Sequence, residues 1–136
     1  MLKTVTLHSL FVLALISTAA SGFAQAPVPA TPENAASFIG DWTLSAEGPQ
    51  GPAQFGLTVK VDSGKLIGTV AMGDQGSLPI NDISLIDKTL VLRYNFDYQG
   101  MSIDAAISLT PAGDKVGLEI AFAGGAYTMT GTAAKK

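Results

Sequence analysis

From Gly40 to the C-terminus, apolar and polar residues alternate almost without a miss, and Gly, Pro or Asp breaks the alternation at short intervals. A period of two belongs to extended chain, where successive side chains point to opposite faces; a helix would repeat every ~3.6 residues. The chain is thereby confined to strands with one apolar face. Phe55, Leu57, Val59 and Val61 form the inward set of one strand, and Leu90, Leu92, Tyr94, Phe96 and Tyr98 that of another. Met101, Ile103, Ala105, Ile107 and Leu109 follow the same rule, as do Val116, Leu118, Ile120 and Phe122.

The breaks divide this region into eight strands, at 41–47, 53–61, 66–72, 77–85, 89–98, 101–110, 115–122 and 127–134. Gly48-Pro49-Gln50-Gly51-Pro52 predicts a rigid, exposed loop that cannot pair, because its prolines have no amide proton. Asp62-Ser63-Gly64-Lys65, Gln99-Gly100 and Gly124-Gly125 read as tight reversals with Gly available for positive φ, and Pro111-Ala112-Gly113-Asp114 as a Pro-initiated turn. Pro79 suits only an edge, a bulge or a strand start. With every connection short, the economical fold is all-β: an eight-stranded antiparallel up-and-down barrel, its interior filled by side chains or holding one small ligand. Gly68-Thr69 and Gly131-Thr132 place a glycine inside an alternating strand, where a missing side chain lets the sheet bend or another group approach.

The residues before Gly40 are of two other kinds. Lys3, the apolar run Leu7 to Ile16 and the small residues of Ser17 to Ala24 have the layout of a signal peptide, and the apolar run is too short to span a bilayer. Cleavage after Ala24 or after Ala26 fits; Ala24 is preferred, since Pro27 would otherwise stand at the scissile bond. Residues 1–24 are read as signal peptide and 40–136 as the barrel domain, exported to the periplasm or the medium. In between, 25–39 comprises a Pro-rich arm without regular pairing and a short helix capped by Thr31 with Pro32 at its first position. Phe38 and Ile39 would dock that helical turn onto the barrel.

Cleavage also decides the available chemistry. Of 136 residues, losing 24 leaves 112, without Lys3 or the single histidine, His8; seven Lys and Arg then face eleven Asp and Glu, a formal charge of −4. A chain with neither His nor Cys carries no Cys/His zinc site, thiol nucleophile or Ser-His-Asp triad, and no disulfide framework. No cysteine stands near the cleavage site to be lipidated, and the scattered cations do not suit nucleic acid. Neither catalysis nor a cofactor, metal, nucleic acid or membrane-inserted segment is expected.

Gly40-Asp41-Trp42 at the start of the first strand, preceded by a helical turn, resembles the opening of the calycin barrels, the group of lipocalins, fatty-acid-binding proteins and avidins. Gly64 to Thr69 resembles the Gly-x-x-x-Gly-Thr segment of avidin-type strands, and residues 40–134 as a whole are similar to small exported bacterial lipocalin-like domains. The resemblance implies that Trp42 plugs one barrel end and that a late basic residue covers its ring. Only Lys135 and Lys136 are available for that, at a terminus expected to fray. With a single Trp, biotin binding does not carry over.

Trp42, Tyr94, Tyr98, Phe122 and Tyr127 are the candidate barrel-lining residues for a small apolar or amphipathic ligand, and a lone Trp at a strand start is more simply a plug. The phenols of Tyr94, Tyr98 and Tyr127 would be polar contacts; Phe96 reads as core. Asp97 and Asp104 flank the Gln99-Gly100 turn and could meet across a hairpin as an acid–base pair, but both fall on the polar phase, as do Arg93 and Asn95, their expected cross-strand partners. Asp62-Ser63-Gly64 and Asp74-Gln75-Gly76 lack the repeated oxygen ligands of a calcium loop and are ordinary turns. Ligand binding inside the barrel is the leading expectation; docking on another exported or envelope protein through the outer face or loops, with the Gly48–Pro52 loop and the Pro-rich arm as the features that suggest it, is the other.

The strand phase has a direct test. Leu92→Asp places an unpaired charge in the core and should prevent folding, whereas Arg93→Asp, one residue on, should cost under about 1 kcal/mol. Circular dichroism melts of the two variants check this, and identical behaviour would invert the phase.

Overall fold

The structure, a computed structural model, describes residues 26–73 and 76–136. The signal-peptide reading, with His8, and the Asp74-Gln75 pair of one expected turn lie outside the described residues. Ten strands form one antiparallel sheet: β1 (Val28–Pro29), β2 (Gly40–Gly48), β3 (Gly51–Asp62), β4 (Lys65–Ala71), β5 (Ser77–Ile80), β6 (Asp82–Ile86), β7 (Thr89–Tyr98), β8 (Met101–Ala112), β9 (Lys115–Phe122) and β10 (Tyr127–Lys135). Their order across the sheet is β1-β6-β7-β8-β9-β10-β2-β3-β4-β5. The last long strand pairs with the first, from Thr130 opposite Glu47 to Lys135 opposite Trp42. The sheet curls into a half-barrel.

The expected strand 77–85 is two strands. It breaks at Asn81, after which β5 pairs with β4 and β6 with β7, so these consecutive segments stand toward opposite ends of the sheet. A closed barrel would need one strand to ladder with both neighbours. Pro79, opposite Thr69 on β4, has no amide proton for a second one. The free side of β6 is taken by the N-terminal arm: Val28 stands opposite Leu85 and Pro29 opposite Ser84, and the Ala30 N–H donates to the Ile83 carbonyl at 3.0 Å. The arm is therefore not the unpaired linker expected of its prolines. It covers an edge that would otherwise offer unpaired backbone groups.

Other expectations shift at the turns. Gly48 pairs with Gly51 and Glu47 with Pro52, so the five-residue loop is only a Pro49-Gln50 turn. Pro111 likewise lies within β8, opposite Val116. In place of a Thr31-capped helix, residues 32–35 form a turn and Ala36–Phe38 a single 3-10 turn. Thr31 and Asn34 close it reciprocally, the Asn34 N–H donating to Thr31 Oγ1 and the Thr31 N–H to Asn34 Oδ1. The Ser63-Gly64 and Gln99-Gly100 reversals both carry φ near +50° to +80° at their two residues, the left-handed pair that a two-residue hairpin requires.

Inside the curl the alternation is realised as packing. Leu44, Leu57, Leu90, Leu92, Ile107 and Ile120 are fully buried, each stabilising by roughly 1.5–3 kcal/mol relative to an exposed position. Three inward-phase residues are largely exposed: Val61 is 45%, Tyr98 48% and Met101 67% exposed. They sit where strands outrun the core. The sheet ends meet through side chains, because a Cβ on Gly68 of β4 would lie 2.9 Å from Leu92 Cδ2 of β7 and 3.5 Å from Ile80 Cβ of β5. Among the described residues no helix is long and apolar enough to cross a membrane.

Two glycines in strands thus do different work. A Cβ on Gly68 meets the end of a leucine side chain, which can turn; one on Gly131 would run into the backbone of β2 at Ser45 O and lie 2.8 Å from Ala46 Cα. Gly131→Ala should therefore cost about 3 kcal/mol or more and Gly68→Ala about 1 kcal/mol, read from urea unfolding midpoints. Equal costs would mean that β10 and β2 separate more easily than their register implies.

Candidate functional site

The two ends of the half-barrel are built oppositely. At one, Trp42 is buried, its indole N–H donates to the Phe38 carbonyl at 2.8 Å, and the two rings lie 6.4 Å apart. Lys135 does not fray: its ammonium stands 5.3 Å from the centre of the Trp42 ring and donates to the Ser37 carbonyl, while the Lys136 N–H donates to the Asp41 carbonyl. Gly40 makes room for this. It has φ of +141°, and a Cβ there would be 3.1 Å from the Lys135 stem. The Gly-Asp-Trp run thus combines an allowed backbone angle, a path for the lysine stem and the ring that it covers, a contact usually worth ~0.5–2 kcal/mol. This end is shut.

The other end is open. Phe55, Met72, Phe96, Tyr98, Ile103 and Phe122 line a recess of about 470 Å³ together with Tyr127, Met129, Gln50 and Ala123, within the roughly 300–1,000 Å³ common for small-molecule sites. Register explains why these side chains converge. Phe96 stands opposite Ile103, and the Ala105–Phe122 and Phe122–Tyr127 pairs carry the same inner face across β8, β9 and β10. Ring centres follow one another at 6.1 Å from Tyr94 to Phe96, 6.1 Å from Phe96 to Phe122 and 5.7 Å from Phe122 to Tyr127. The Phe96–Phe122 pair is edge-on, at 82°, an arrangement aromatic quadrupoles favour. Gly48 admits Tyr127 at the rim, since a Cβ there would come within 3.0 Å of its hydroxyl and of Met129 Cγ.

Of the five residues expected to line a barrel interior, Tyr98, Phe122 and Tyr127 meet in the recess. Tyr94 lies one step deeper on β7, beneath Phe96 and packed on the core. Trp42 is at the shut end and takes no part. Met72, Met129 and Gln50 join the three in the recess; the period of two from Tyr127 points Met129 inward, whereas Gln50 sits in a turn that has no such phase. Below the rim the interior is filled by the aliphatic core, so the accessible apolar space is at the mouth. Two other grooves, of about 570 and 610 Å³, include charged side chains: one runs past Asp82, Arg93, Asn95 and Asp104, the other lies beside Lys135 at the shut end.

The outer face of the β7–β8 hairpin is a polar ladder. Asn95 stands opposite Asp104 and donates to its Oδ1 at 2.7 Å, and Ser102, opposite Asp97, donates to Asn95 Oδ1 at 2.6 Å. Asp97 and Asp104 share a face as expected, but Asn95 and Ser102 occupy the positions directly across from them. Arg93 donates to Ser84 at 3.3 Å rather than to either aspartate. Among the described residues no group of three or more His, Cys, Asp or Glu could hold a metal ion.

Tyr94 carries a measurable consequence of its depth. Burial pushes its phenol from 10.0 up to about 12. Between those pH values the unfolded chain has released a proton that the folded one keeps, so stability falls as pH rises through this window. Tyr94→Phe should flatten that fall in thermal melts between pH 9 and 12; an unchanged slope would mean that the phenol reaches water freely.

In comparisons with known proteins, the chain matches no family model, no curated protein and no solved structure.

Proposed function

We propose that this protein is an exported, non-catalytic binding protein that holds a small apolar or amphipathic molecule in the open mouth of its half-barrel. The observation that carries the reading is the row of aromatic rings from Phe96 through Phe122 to Tyr127, left facing a recess of about 470 Å³ at the one end that is not plugged. A domain this small gains stability from covering such surface, and leaving it open is the usual mark of a binding place. The similarity of Gly40-Asp41-Trp42 and its neighbours to calycin barrels, in which the Trp plugs one end, supports the same reading. Export rests on the signal-peptide pattern of residues 1–24.

Docking on another protein is the second reading. What favours it is the tip of the β7–β8 hairpin, where Tyr98 and Met101 are exposed side by side across the Gln99-Gly100 turn. The rigid loop first expected to carry this role is a two-residue turn.

The purified protein should raise the fluorescence of the neutral dye N-phenyl-1-naphthylamine. Tyr98→Ala, which removes a half-exposed rim ring, should weaken that binding by roughly fivefold, about 1 kcal/mol, with the melting temperature little changed. Native mass spectrometry of protein taken from its own compartment would show a bound small molecule as mass lost on denaturation. If no dye binds and the native mass is that of the bare chain, the binding reading fails; a co-purifying protein lost with Met101→Asp would favour docking.

A further inference from the structure

Cations are confined to one half of the half-barrel, where Asp62, Asp87 and Asp114 stand at the same turns as the lysines. Every lysine among the described residues belongs to the shut half: Lys60 late in β3, Lys65 at the start of β4, Lys88 in the β6–β7 turn, Lys115 at the start of β9, and Lys135 and Lys136 at the end of the chain. Arg93 is halfway along β7, opposite Asp82 and bonded to Ser84. Among the described residues no lysine or arginine lies between there and the rim, whereas Glu47, Asp97 and Asp104 do, all exposed, and the exposed Glu119 shares the row of Glu47 across Thr130. Glu47 is the residue before the last of β2 and Asp97 the residue before the last of β7, so carboxylates flank the recess on two sides.

The lining repeats the preference at short range. Its side chains supply aromatic faces, thioethers, phenols and the Gln50 amide, and no ammonium or guanidinium. An anionic head placed at this mouth would find no cation and only like charges. A cationic head would find the negative faces of Phe96, Tyr98, Phe122 and Tyr127 and a favourable field from the outer wall. We propose that the molecule held at the mouth is a small amphiphile with a cationic head, an amine or quaternary ammonium on an apolar body, and that fatty acids and other anionic amphiphiles are selected against. This inference rests on the binding reading given above and adds to it the chemical class of the ligand.

A chain-matched series separates the two. Dodecyltrimethylammonium and dodecanoate, each below its micelle concentration, are titrated against the protein loaded with N-phenyl-1-naphthylamine. The cation should displace the dye at about a tenfold lower concentration than the carboxylate at low ionic strength, and the gap should narrow at high salt, as expected for exposed charges several ångströms from the head. The variant Glu47→Gln/Asp97→Asn/Asp104→Asn, altered only at exposed positions, should lose most of that gap. Dye binding with equal displacement by both amphiphiles, with dodecanoate the better competitor, or with the gap intact in the triple variant overturns the charge preference and leaves the binding reading standing. Failure of the neutral dye and of both amphiphiles to bind overturns the binding reading and the inference with it.

Discussion

Leu92 of β7 lies against the bare backbone of Gly68 on β4, and this contact joins two regions of the sheet that no hydrogen-bonded ladder connects. Backbone pairing alone would leave a curled ribbon open between β5 and the β1–β6 edge. Because Gly68 has no side chain, Leu92, Ile80 and Ile83 converge over it, and the aliphatic core becomes continuous across the seam. The arrangement substitutes non-directional apolar packing for the directional bonds of a closed barrel. The N-terminal arm and Pro79 then deal with what packing cannot, the backbone groups at the two free edges.

Once the sheet is curled, its two ends meet different fates. At one end the chain returns on itself, so that the 3-10 turn before Gly40 and the lysine at the end of β10 cover Trp42 from two sides. At the other end the strands simply outrun the core, and nothing in the described chain returns to cover them. The aromatic row at that mouth is therefore a consequence of topology. The same strands that bury Leu92, Ile107 and Ile120 in mid-barrel must expose the continuation of that inner face at the rim.

The cations follow the same axis. At the turns of the shut end lysines stand beside carboxylates, whereas near the mouth the exposed charges among the described residues are carboxylates alone, which gives that end an electrostatic character as well as an apolar one. The function proposed here depends on this conjunction of exposed rings, available volume and sign of charge at one end. None of the three would point to a ligand by itself.

Much of the fold can be read from residue order alone. The period of two in Leu90 to Tyr98 and Met101 to Leu109 dictates strand, face and neighbour, since a strand displaces its side chains by half a turn at each residue whatever surrounds it. Turn chemistry at Ser63-Gly64 and Gln99-Gly100 is equally local. What periodicity cannot contain is how far along a strand the core extends, because burial depends on what the opposite wall supplies. Hence Val61, Tyr98 and Met101 kept their phase and still emerged into solvent, and Trp42 parted from the other candidate residues. The split of the expected strand at Asn81, the pairing of Val28-Pro29 with β6 and the placing of Lys135 over Trp42 are likewise contacts between residues distant in the chain. Local chemistry decided that this protein would be a twisted apolar-faced sheet; only the curling of that sheet on itself decided which end would be sealed and which left open.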